Sequence, residues 1–407
     1  MKLIHIVFFV CVGIVFAQCA HNPVAPEARE LTDLEKRLVE SDNQFGFKLF
    51  KEIVKKETDK NVFISPLSVS MALGMTLNGA NGETQAAMEQ TMELSGLTTD
   101  EINRSYQSLI KLLTNLDRKI IFQIANSIWT RQDWTFEQDF IDINKTYFDA
   151  VVQSLDFNDP KAVDIMNSWV KENTNGLIEE IIEAPIDPLT VMFLINAIYF
   201  KGTWTYEFDK EQTKDDVFIL LDGVQKTVEM MHLNGDLPYF ENESLQAVDL
   251  PYGDGLFSMT ILLPKSEVEL DSLIAEFNPE NWQGWLSGFS ERAVALSLPK
   301  LKLEYEKALN DVLKALGMAV AFHPKQADFS RMYTGPKDLY ISEVKHKTFV
   351  EVNEEGTEAA AVTSVEVTTT SAGPKGIRMH VDHPFVLVIR ENHSGTILFM
   401  GKIVEPN

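Results

Sequence analysis

Side chains that could carry out covalent chemistry are scattered along this 407-residue chain without forming a catalytic signature. A serine nucleophile on a strand-to-helix elbow needs glycine on both sides, and Gly288-Phe289-Ser290-Glu291-Arg292 lacks the closing one. No glycine loop suited to phosphate and no helical pair of zinc histidines is present. His380 and His383 are near enough in sequence to suggest a metal, but two ligands make a weak signature, and ordinary strand-end histidines account for them. His346 could be drafted as a general base, yet no sequence partner marks a triad. The informative spacing lies instead in Glu354 to Gly376, EEGTEAAAVTSVEVTTTSAGPKG.

Read as a strand, that stretch puts Thr357, Ala359, Ala361, Thr363, Val365 and Val367 on one face, all small or β-branched. The other face carries Glu358, Ala360, Val362, Ser364, Glu366 and Thr368, the alternation of a half-buried strand. The Val and Thr residues between Val362 and Thr370 favour extended backbone, because branching at Cβ restricts χ1. Yet Glu354, Glu355 and Gly356 open the segment and Ser371, Ala372, Gly373 and Pro374 close it, as in an exposed loop. The composition fits a segment with two states, solvated loop or inserted strand. A Thr/Ser-rich linker or an edge strand is the plainer alternative.

The elements around it are legible from local signals. Thr32 and Glu35 have capping-box spacing ahead of an amphipathic helix through Leu34, Leu38, Phe45, Phe47, Leu49 and Phe50. Ser65 caps and Pro66 opens a helix, and the helical pattern of residues 69–92 is interrupted at Asn78-Gly79-Ala80-Asn81-Gly82. Phe122 to Trp129 reads as a strand, and Trp134 to Ala150 and Asn167 to Asn173 as helices. Thr190 to Phe200 is a continuous apolar run, expected as a central strand buried on both faces, with Asn196 its odd polar member. Strands are expected at Val228 to His232, Leu245 to Leu250, Phe257 to Leu263 and Ala293 to Lys302. Leu309, Val312, Leu313 and Leu316 form a helical stripe closed by Gly317, and Tyr340 to Asn353 is a strand leading into Glu354.

A hydrophobic content of 45% with 24% charged residues describes a well-cored globular protein. The net charge of -24 argues against nucleic acid and against an anionic membrane surface as partners. Residues 1–19 read as a secretory signal: Lys2, then an apolar run from Leu3 to Ala17, too short for a bilayer span. Both cysteines, Cys11 and Cys19, lie in or just after that run, so the mature chain has at most one thiol and no internal disulfide. Cys19 after Phe16-Ala17-Gln18 loosely resembles a bacterial lipoprotein site, and lipid attachment there is weighed against ordinary cleavage after Ala17. Residues 20–30 are expected as a flexible spacer before a single domain from 31 to 407. Asn103, Asn144, Asn242 and Asn392 head N-x-S/T sequons.

Glu354-Glu355-Gly356-Thr357-Glu358-Ala359-Ala360-Ala361 resembles the hinge of the reactive-centre loop of serpins. Phe385, Phe399-Met400-Gly401-Lys402-Ile403 and Pro406 resemble that family's C-terminal strands, and the similarity extends over about residues 31 to 407. The resemblance implies a mixed α+β fold of three β-sheets surrounded by about eight to nine helices, with an exposed reactive-centre loop at about 354–376. It implies a buried shutter cluster of Ser65, Ser68, Asn196 and His346, and a breach filled by Trp204. It implies no cofactor and no catalytic activity, but inhibition of an extracellular serine protease as a suicide substrate, by a monomer. Counting from the hinge places the reactive bond at Thr370-Ser371, suited to a protease with a small-residue, elastase-like pocket. A non-inhibitory carrier or chaperone of the same fold, and a cysteine protease as target, are the alternatives.

Overall fold

The computed structural model describes residues 29–335, 339–357 and 376–406. Its first half is mostly helical. Thr32 accepts the Glu35 N–H while the Glu35 carboxylate takes the Thr32 N–H, and this capping box starts α1 (Asp33–Val54). After β1 (Val62–Ile64), Ser65 caps α2 (Pro66–Leu77) by accepting the Ser68 N–H at 3.3 Å. The expected interruption at residues 78–82 separates α2 from α3 (Gly82–Thr91), and α4 (Thr99–Leu113), β2 (Ile120–Arg131), α5 (Gln138–Phe148) and β3 (Val151–Leu155) follow. The helix expected over Trp134 to Ala150 therefore starts only at Gln138. The one expected from Asn167 starts earlier, in α6 (Lys161–Asn173), just after Pro160, whose ring presets a helical φ.

The second half is mostly strands: β4 (Met192–Thr203), β5 (Lys214–Ile219), β6 (Gln225–Glu241), β7 (Leu245–Tyr252) and β8 (Phe257–Pro264). Two helices, α7 (Leu270–Ala275) and α8 (Pro279–Gly288), precede β9 (Ser290–Pro299) and β10 (Leu301–Ala308). The single strand expected over Ala293 to Lys302 is thus two, because the chain leaves one sheet at Pro299 and enters the other at Leu301. Beyond α9 (Asn310–Leu313) come β11 (Lys345–Val352), β12 (Gly356–Thr357), β13 (Ile377–His380), β14 (Phe385–Glu391) and β15 (Ile397–Ile403).

Hydrogen bonding among the described residues forms two ladders. The larger runs β1-β15-β14-β8-β7-β6-β9-β13, with β5 also on β6. The long β6 pairs with β5 and β9 along most of its length and with β7 at Tyr239–Glu241, and so joins two of the expected sheets into one ladder. The six-stranded sheet runs β10-β11-β12-β4-β2-β3. One of its faces packs on the main core, which reaches from Leu31 to Val404. On the other face α6 buries Ala162, Val163, Met166 and Val170 against Trp129 and Ile195.

Candidate functional site: a strand slot in the six-stranded sheet

In the order β11-β12-β4, the member between the two long strands contributes only Gly356 and Thr357. Gly356 lies opposite Thr203, and Thr357 opposite Gly202 on one side and Val352 on the other. Below Thr357 no ladder joins β4 to β11 among the described residues. Leu194, Asn196 and Ile198 are consequently only half-buried, so β4 is not the strand covered on both faces that its apolar run suggested. A cleft with about 120 Å³ of space lies at the lower end of this slot, between β4 and β11, lined in part by Ser68, Thr76, Asn196, Met332, Leu339 and His346.

The upper end is latched. Gly356 has φ +154°, and a Cβ there would stand 2.0 Å from the Gly202 carbonyl oxygen, so glycine is required for the strand to approach. The Trp204 N–H donates to the Glu355 carbonyl at 2.9 Å, the Phe208 N–H to the Glu354 carbonyl at 2.9 Å, and the Trp204 indole to the Asn353 carbonyl at 2.9 Å. The Glu354 carboxylate is buried, 3.0 Å from Lys300 Nζ and accepting from Thr213 Oγ1 at 2.7 Å. Burial pushes this carboxyl up, but the bonds from Thr213 and the backbone, with the Lys300 charge, outweigh it and hold it below its usual range. Glu355 pairs with Lys210 on the surface.

Midway down the slot, elements far apart in sequence bring four expected polar residues together. The Ser65 N–H donates to His346 Nε2 at 3.0 Å, and Ser68 Oγ donates to the Asn196 carbonyl at 3.5 Å. Asn196 Nδ2 donates to Asn126 Oδ1 at 2.7 Å, while its own Oδ1 is buried without a hydrogen-bond partner among the described residues. Because His346 Nε2 accepts, the ring is neutral, and burial lowers its pKa to about 4. Asn126 on β2 and Thr348 on β11, whose hydroxyl donates to the Phe63 carbonyl at 2.5 Å, complete the arrangement. Neither carries a sequence signal of its own. Trp204 is buried, with its ring stacked on Tyr252 at 4.3 Å and 13°.

Other candidates are placed elsewhere. His380 Nε2 lies 3.5 Å from Asp216 and 3.8 Å from Asp382, and His383 bonds Asp382 and the Pro264 carbonyl at the end of β13. Among the described residues no group of three or more His, Cys, Asp or Glu is arranged to hold a metal, and no helix is long and apolar enough to cross a membrane. Of the sequon asparagines, Asn103 and Asn144 are buried and linked through Asn78, and Asn392 donates to Gly255 and Ser258. Cys19, Glu358, Ala359, Ala360, Ala361, Thr370 and Ser371 lie outside the described residues.

A sheet with a strand-wide slot, a glycine-hinged segment entering its top and a buried polar cluster midway down defines a class of proteins that add a strand of their own chain. Residues 40–406 match the family model described as serpin (serine protease inhibitor). Serpin B8 of Homo sapiens is 36% identical over 91% of this chain and 99% of its own. The thermophilic serpin tengpin in its native state superposes with a TM-score of 0.84 at 33% identity, covering 93% of this chain and 96% of tengpin. Human thyroxine-binding globulin, solved with its hormone, gives 0.83 at 28% identity, covering 92% and 100%. The chain belongs to the serpin family. Its members are generally protease inhibitors, and thyroxine-binding globulin shows that the fold also binds a small molecule.

Proposed function

We propose that this protein is an extracellular inhibitor of serine proteases that acts as a suicide substrate, with residues 31–407 as one working unit. The observation that carries the reading is the two-residue strand β12 at the head of a slot whose walls, among the described residues, are unpaired below it. Continuing its two registers would set Ala359 between Phe200 and Val350, Ala361 between Ile198 and Thr348, and Thr363 between Asn196 and His346. Those odd-numbered residues share the inward face with the buried Thr357, and Glu358 falls outward. Ser65, Ser68, Asn196 and His346 would then be the groups the arm must pass, and Trp204 the floor at its entrance.

The protease serine attacks the Thr370 carbonyl, an ester forms, and Ser371 leaves as a new amino terminus. The freed arm beyond the seated Thr357, Glu358 to Thr370, then inserts and carries its acylated end about 43 Å at ~3.3 Å per residue, distorting the protease before water can cleave the ester. Small neutral residues at the bond suit an elastase-like pocket. Residues 1–19 would direct export, with Cys19 as the point of lipid attachment if the envelope retains the protein.

Incubation with pancreatic elastase, followed by SDS gels and intact-mass measurement, tests this. A stable complex and a released fragment beginning at Ser371 are expected, together with a markedly higher melting temperature for the cleaved protein. Cleavage with neither complex nor thermal gain would favour the carrier reading, for which thyroxine-binding globulin is the structural parallel.

A further inference from the structure

Tyr252 closes β7 at the edge of the latch, and sequence reading gave it no role. Its side chain is fully buried, with its hydroxyl 2.6 Å from Thr357 Oγ1. The ring reaches Thr357 by passing beneath Gly202, the residue opposite Thr357 on β4, where a Cβ would come within 2.9 Å of the Tyr252 ring. It is held there by stacking on Trp204 at 4.3 Å and by the edge of Phe200 at 5.1 Å. Trp204, Phe200 and Ile120 lie around the ring, and no other hydrogen bond to this hydroxyl is present among the described residues. Burial pushes the phenol far above its usual range, so it stays a neutral hydroxyl at any working pH.

We infer that Tyr252 is the positioning residue that keeps the hinge docked, by recognising a hydroxyl on the first inward side chain of the arm. With residue 357 withdrawn, the fully buried Tyr252 hydroxyl would lose the one partner it has among the described residues, a state that buried polar groups avoid. The contact therefore holds the first residue seated before the bond is cut, and insertion proceeds from Ala359 onward instead of starting at the entrance. Trapping is a race between insertion and deacylation, so an unseated hinge shifts the outcome toward simple cleavage. This pairing specifies Thr or Ser at position 357. Valine matches the shape and leaves the phenol orphaned, while Tyr252→Phe leaves the threonine orphaned. Replacing both removes both orphans, and an apolar pair of matching shape is close to neutral.

This inference rests on the reading of the protein as a loop-inserting inhibitor. Its test compares wild type, Tyr252→Phe, Thr357→Val, Thr357→Ser and the Phe/Val double variant, reading the ratio of cleaved to trapped protein with pancreatic elastase. Each orphaning variant should raise that ratio about five-fold, the effect of one ordinary hydrogen bond. Thr357→Ser should behave as wild type, and the double variant should recover most of the loss. Single variants that trap as well as wild type, or losses that add in the double variant, would overturn the role of Tyr252 and leave the inhibitor reading intact. If wild type is cut without being trapped, the inhibitor reading itself fails, and this inference with it.

Discussion

The Glu354 latch gives the sharpest test of how the slot is held. Glu354 Oε1 lies 3.0 Å from Lys300 Nζ and 2.7 Å from Thr213 Oγ1, with the glutamate side chain 6% exposed and the lysine 27%. Leaving one partner of a fully buried pair unpaired costs about 3–5 kcal/mol, and exposed pairs contribute about 1 kcal/mol or less. With one buried and one partly wet partner, Glu354→Gln should cost about 2 kcal/mol, because the amide oxygen still accepts from Thr213 while the lysine keeps only the exposed Glu229, 3.3 Å away, as counter-charge. Glu354→Lys places two ammonium groups where the ion pair stood, loses the Thr213 bond as well, and should cost more. The assay is urea unfolding of the uncut protein, for Glu354→Gln, Lys300→Met and the pair together. The double variant should recover about 1–2 kcal/mol relative to the sum of the singles, since neither orphan remains. Strict additivity, or a Glu354→Lys protein that unfolds like wild type, would show that the ion pair does not hold the hinge.

Three further outcomes follow from particular contacts. Gly202→Ala should destabilise the uncut protein by about 1–3 kcal/mol in urea, because the added Cβ meets the Tyr252 ring at 2.9 Å and Ile120 at 3.0 Å; a neutral result would mean the strand yields freely. Burial of Asp42, bonded to the Tyr106 hydroxyl at 2.9 Å, raises its carboxyl from 3.8 to about 7, so its contribution is fullest below pH 3.8 and is lost as pH rises through 7. Asp42→Asn should therefore gain on wild type by about 3 kcal/mol between pH 5 and pH 8, and a pH-independent difference in unfolding free energy would refute it. His346 titrates the other way, its lowered value of about 4 making its contribution complete above 6.5 and lost as pH falls through 4. His346→Gln should remove about 3 kcal/mol of pH dependence from that window, read from the same titration.

Much of this could be read along the chain because it rests on short-range rules. The capping box at Thr32 and Glu35, the Ser65 cap before Pro66 and the glycine-broken turn after Leu77 each depend on residues within four positions of one another. Where reading failed, the local Pro160 had set the start of α6 and a distant neighbour decided β4. Helix α6 begins six residues before the expected Asn167, and the run at β4 reads as doubly buried although β11 stands apart from it.

The residues that give the slot its energetics have no sequence signature. Lys300 and Thr213 converge on Glu354, Asn126 reaches Asn196, and Tyr252 meets Thr357 from 105 positions away. The amino-acid sequence by itself determined most of the helices and strands, because periodicity and capping act over a turn or a pleat. Only the tertiary structure decided that β12 lies between β11 and β4, which groups surround it and where space remains, because strand order and buried partners are set by contacts between residues far apart in sequence, as Thr357 with Tyr252 105 positions away.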